Sequence, residues 1–67
     1  MFKLIEYDCG IETEIEKFQD NPSADEVRPL LDKYNKQDRA DHLVEHNTLA
    51  LGVGRYLIIK PIDKQRG

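Results

Sequence analysis

The chain has 67 residues, 39% of them apolar, with 13 acidic and 10 basic side chains for a formal charge of −3. That length holds one small domain and excludes a two-domain arrangement or a fold built around a deep active-site pocket. Leaving out Met1, Cys9 and the alanines, 21 side chains remain to build a core, at the lower edge of what folds alone.

Phe2-Lys3-Leu4-Ile5-Glu6-Tyr7 is rich in aromatic and branched side chains and ends at Asp8-Cys9-Gly10, which reads as a strand and a turn. The Asp-x-Gly spacing suits a three-residue hairpin loop with Gly10 in the left-handed region. Residues 11–16 alternate apolar and acidic with period two, which makes a strand with Glu12, Glu14 and Glu16 on one face. Ile11, Ile15 and Phe18 also fall at helical spacing. The turn chemistry ahead of them favours the hairpin.

Asn21-Pro22-Ser23 breaks the chain, and Ser23-Ala24-Asp25-Glu26 has the form of a capping box. Val27, Leu30, Leu31 and Tyr34 then trace a helical stripe; Pro29 would remove one backbone bond from its interior, and the alternative is a helix that begins near Pro29, where proline is tolerated. The apolar phase slips after Tyr34 and resumes at Ala40, Leu43 and Val44. Two helices are therefore expected, over about 24–35 and 38–47, with Asp38 capping the second and Asn47 stopping it. Leu49 and Leu51 alternate toward Gly52-Val53-Gly54, and Arg55-Tyr56-Leu57-Ile58-Ile59-Lys60 is the strongest strand signal in the chain. The sum is an α+β fold in a single compact domain over 1–67, with 63–67 a solvated tail. An N-terminal strand or hairpin, two central helices and a C-terminal β-hairpin form one small antiparallel sheet. The strands at 2–7 and 55–60 should be neighbours, and aspartate at Leu31 or Ile58 should unfold the domain.

No segment carries the marks of an active site. His42-Leu43-Val44-Glu45-His46 has the spacing of the metal signature of inverted zinc peptidases. Those enzymes need a third ligand on a distant helix and a large cleft, so a solvated helix face is expected. No metal, no cofactor and no catalytic residue is assigned, and the chain is expected not to be an enzyme. Gly52-Val53-Gly54 lies between two strands and reads as a turn rather than a phosphate loop. Cys9 has no second cysteine to pair with and reads as a turn or half-buried structural residue. With no apolar run near the roughly 20 residues of a membrane span, no membrane association is expected, and the expected location is cytoplasmic (host cytoplasm if phage-encoded).

Charge placement says more than its total. Residues 1–26 carry −6 and residues 27–67 carry +3. Glu12, Glu14 and Glu16, with Asp20 beyond them, would project from one strand face about 7 Å apart, near the repeat of phosphates along a nucleic-acid strand. Such a row fits a protein partner that carries a basic nucleic-acid-binding site; the simpler reading is a solvated edge that discourages aggregation. The expected function is a small non-enzymatic protein-interaction module, of the accessory or inhibitor type found in phages and mobile elements, that binds through this acidic face. Edge pairing through 55–60 offers a route to a homodimer. The alternative is a nucleic-acid-binding regulator of winged helix-turn-helix-like layout using the basic C-terminal end (Arg55, Lys60, Lys64, Arg66). Against it, a reading helix over 38–47 would hold Arg39 and two largely neutral histidines beside Asp38, Asp41 and Glu45.

Overall fold

The computed structural model describes residues 1–62, and the expected tail at 63–67 lies outside them. Four strands, β1 (Phe2–Asp8), β2 (Ile11–Phe18), β3 (Thr48–Gly52) and β4 (Arg55–Pro61), form one antiparallel sheet in the order β2-β1-β4-β3. The first and last strands are thus the central pair, and β2 and β3 are the edges. A helical layer over residues 24–46 connects the two edges, so the fold is α+β as its alternations imply.

The strand reading of 11–16 holds, but the turn is tighter than expected. Asp8 pairs with Ile11, leaving two loop residues, Cys9 at φ 52° and Gly10 at φ 94°. Positive φ at both central positions is what a type I′ turn requires, and its twist matches that of the flanking strands. The second hairpin turns at Val53-Gly54, with Gly54 at φ 73°. The two turns touch, because the Cys9 N–H donates to the Gly54 carbonyl at 2.8 Å.

The first expected helix is real in extent and mixed in kind. Ser23 caps α1 (Ala24–Val27), its hydroxyl accepting from the Glu26 N–H at 3.4 Å. From Arg28 to Tyr34 the chain winds as a 3-10 helix with Pro29 in its first turn. Proline has no N–H to donate back to residue 25, so the α-helical ladder cannot run on through it. Asn35 then takes the left-handed conformation, and the Lys36 N–H closes on the Leu31 carbonyl at 3.1 Å. That reversal produces the phase slip seen in the sequence. Asp38 does not cap: it lies inside a 3-10 turn, Gln37–Arg39, that precedes α2 (Ala40–His46). Asn47, left-handed at φ 61°, stops α2 as expected.

Leu4, Leu57 and Ile59 from the central strands and Leu49 from β3 meet Val27, Leu31, Ala40 and Leu43 in one core between sheet and helices. Leu30, Tyr34 and Val44 complete the expected stripe at its margin. Ile58 is not in this core. It pairs with Ile5 while Leu4 pairs with Ile59, and alternation turns Ile5 and Ile58 to the opposite side of the sheet, which no helix among the described residues covers. β4 also has β1 and β3 on its two flanks, so the strand at 55–60 is not an edge and cannot supply the edge pairing expected of it.

Candidate functional site

The uncovered sheet face is built from alternate residues of β1 and β4 with Glu12, Glu14 and Lys17 of β2. Its register sets Lys17 against Lys3 and Lys3 against Lys60, then Glu14 against Ile5 and Ile5 against Ile58, then Glu12 against Tyr7 and Tyr7 against Tyr56. Thr48 and Ala50 of β3 extend the second and third rows beside Ile58 and Tyr56. The face is therefore a grid: a lysine row at one end, an isoleucine row in the middle and a tyrosine row at the other end. Glutamates border the last two rows on the β2 side.

Matching residue types stand opposite each other because Lys3-x-Ile5-x-Tyr7 runs in reverse as Tyr56-x-Ile58-x-Lys60, and antiparallel pairing lays like on like. That inverted repeat is legible in the sequence, and it is the signal that finds the face; charge counting alone passes over it. The Tyr7 and Tyr56 rings lie side by side with centroids 4.9 Å apart and planes tilted by 32°. Ile5 is 3% exposed although no helix covers it. Ile58 and Glu14 flank it across the strands, and Lys3 and Tyr7 flank it along its own.

The four residues assigned to an acidic face do not stay together. Glu12 and Glu14 lie on the uncovered face, opposite Tyr7 and Ile5. The register shifts between Leu4 and Ile5, and Glu16 stands opposite Leu4, a core residue. The extra residue of this bulge is Ile15, which packs against the core instead of continuing the alternation. Glu16 is thus turned from the Glu12–Glu14 column onto the other side, at the sheet edge. Asp20 is exposed beyond the end of β2. The carboxylates of the column have partners within reach: Lys60 Nζ is 4.0 Å from Glu12, and Lys17 Nζ is 4.0 Å from Glu14. All four side chains are about half exposed, so these contacts exchange easily with water or with another molecule's charges.

The helical layer over 24–46 carries six acids and four bases, and part of its basic charge gathers near β3. Lys36, Arg39 and His42 line a shallow pocket of about 190 Å³ against Leu49 and Ala50. Lys33, Tyr34, Lys36 and Arg55 line a second of about 200 Å³. The strand order puts these pockets beside the β3 edge and the glutamate column beside the β2 edge. Arg55 is largely spoken for, lying 3.3 Å from Glu6 and 3.8 Å from Asp8. Tyr34 donates to the other Glu6 oxygen at 2.8 Å. That hydrogen bond, aided by Arg55, holds the Glu6 carboxyl below its ordinary range, while burial and the Glu6 contact push the Tyr34 hydroxyl up to about 12.

His42 and His46 share an exposed face of α2 with ring centroids 4.5 Å apart. Among the described residues, no group of three His, Cys, Asp or Glu side chains is placed to hold an ion. Cys9 is exposed at the tip of the first hairpin. No helix among the described residues is long and apolar enough to cross a membrane. Comparison with protein-family models, curated proteins and solved structures finds no match to this chain.

Proposed function

We propose that the protein is a small non-enzymatic interaction module that docks a protein partner on the uncovered face of its sheet. Glu12 and Glu14 serve as acidic contacts at the border, and Tyr7, Tyr56 and Ile58 form the contact centre. One observation carries this reading: an aromatic and aliphatic patch bordered by lysines at one end and glutamates on the β2 side, on a face that the described helices leave bare. Protein interfaces share that anatomy, with tyrosine enriched at their centres and polar groups at the rim. An accessory or inhibitor role in the cytoplasm fits a chain of this size, since docking needs only a folded surface.

The alternative, a nucleic-acid regulator working through the basic C-terminal end, has less behind it. Of the bases it would use, Arg55 is paired with Glu6 and Asp8 and Lys60 with Glu12, while Lys64 and Arg66 lie outside the described residues. The half-exposed Lys60 pair exchanges easily, but phosphate binding would have to draw Arg55 from two carboxylates before gaining its own contact.

The test is affinity capture with three baits: the wild type, Tyr56→Ser, and Arg39→Glu on the helical side. A partner retained by wild type and Arg39→Glu but lost by Tyr56→Ser supports the docking face. A partner lost by Arg39→Glu and kept by Tyr56→Ser moves the site to the basic pockets and overturns the reading.

A further inference from the structure

The docking face described above is complementary to itself, and we infer that its partner is a second copy of this chain. This inference rests on the reading that the uncovered face docks a protein. A twofold axis lying in the interface must exchange matching parts of one surface. Let that axis run across the strands, along the Ile5–Ile58 row. Each lysine row then falls on the partner's tyrosine row. Glu12 exchanges its own Lys60, at 4.0 Å, for the partner's Lys17, while Lys3 and the released Lys60 meet the rings of the partner's Tyr7 and Tyr56. Ile58, half-buried, meets its own counterpart beside the buried Ile5.

Every contact in that list is favourable in kind: one ion pair, two cation–π contacts and an apolar centre, each except the centre made twice by symmetry. The second in-plane orientation, with the axis along the strands, sets Lys3 against Lys60 and is repulsive. The register therefore selects one geometry, a face-to-face packing of two sheets at the usual angle of about −30°. It also gives a reason for the row Lys17-Lys3-Lys60, since like charges on directly opposed positions destabilise an isolated sheet.

Glu14 is the exception, because it lies on the axis row and meets its own copy. Lys17 of its own chain, at 4.0 Å, offsets that repulsion in part. The patch spans three rows and four strands, roughly 400 Å² per copy. That is below the area of a standard stable interface, so association is weak and concentration-dependent.

Sedimentation equilibrium of the full chain from micromolar to millimolar concentration tests the assignment. The wild type is expected to pass from 7.8 kDa to twice that mass as concentration rises. Glu12→Lys and Lys17→Glu should each weaken association about tenfold, because each reversal turns two symmetric attractions into repulsions. Their combination should restore it to within about threefold of wild type, since the swapped pair meets across the axis again. Glu14→Gln should strengthen the dimer, whereas docking a basic partner of another kind would be weakened by the same change.

A wild type that stays at 7.8 kDa throughout overturns the second-copy assignment. If Tyr56→Ser still abolishes capture of another protein in that case, the docking face itself stands. A dimer that none of these four variants alters forms elsewhere and overturns both readings. Monomers that bind a labelled single-stranded oligonucleotide, with binding lost in Lys3→Glu, would assign the tyrosine and lysine rows to nucleic acid instead.

Discussion

Tyr34, on the 3-10 helix, donates its hydroxyl to Glu6 of β1 at 2.8 Å across 28 positions of the chain. The bond fastens the last residue of the 3-10 segment to the central strand of the sheet. A 3-10 segment of seven residues is long for its kind, so it depends on such tertiary anchors.

Replacing Tyr34 with Phe should therefore lower stability by about 1 kcal/mol, with Glu6 left to Arg55 alone. The pH dependence has a definite sign. The Tyr34 hydroxyl titrates near 10 when unfolded and at about 12 in the fold, so its contribution is complete below pH 10 and lost as pH rises through about 12. The lowered Glu6 carboxyl acts at the other limb: its contribution is present above its ordinary range and lost as pH falls through the depressed value. Urea unfolding at a series of pH values should show a wild-type advantage over Tyr34→Phe that is constant near neutrality and vanishes between pH 10 and about 12. A constant advantage through pH 12 would contradict the assignment.

The two sides of the sheet should respond differently to aspartate. Leu31 is fully buried in the core, and burying a carboxylate there costs more than the roughly 3–5 kcal/mol such a core supplies. Leu31→Asp should show no cooperative unfolding transition in circular dichroism. Ile58→Asp places its charge on the uncovered face and should cost about 1–2 kcal/mol, leaving a folded protein. The sequence pattern did not separate these positions, because β4 reads as one apolar run, Tyr56 to Ile59. A central strand with apolar residues on both sides has no alternation to betray which side the helices cover.

Other features were legible for identifiable reasons. The Ser23 cap, the stop at Asn47 and the pairing of the outer segments follow from local chemistry and from alternation, which the backbone obeys directly. What the sequence concealed were events that need a neighbour. The Ile15 bulge is invisible because residues 11–16 alternate without fault, and only pairing with β1 shows that core packing of Ile15 overrides the pattern. The acidic row was thus legible as composition and misplaced as geometry.

A consequence of that bulge can be measured. If the uncovered face docks a protein, Glu12→Lys should change partner affinity by about tenfold, while Glu16→Lys, turned to the other side of the edge, should change it less than about twofold. Both side chains are exposed, so neither substitution should move the melting temperature by more than the few degrees that surface changes bring. Equal losses from the two would mean that the edge of β2, rather than the face, makes the contact.

The junction of the two hairpins offers the last test. Gly54 has φ 73°, and a Cβ placed on it would lie 3.3 Å from the Cys9 sulfur. Gly54→Ala combines a left-handed backbone with a tight contact and should cost about 1–2 kcal/mol. Cys9 itself is a non-glycine residue at φ 52°, a conformation that cysteine tolerates poorly and asparagine well. Cys9→Asn creates an Asn-Gly pair in the two-residue turn, the favoured choice for positive φ at both positions. It should raise stability by about 0.5–1 kcal/mol in urea unfolding. The Cys9 N–H bond to Gly54 uses backbone atoms alone, so the substitution keeps it. A loss of stability in Cys9→Asn would show instead that the sulfur packed beside Gly54 holds the two turns together.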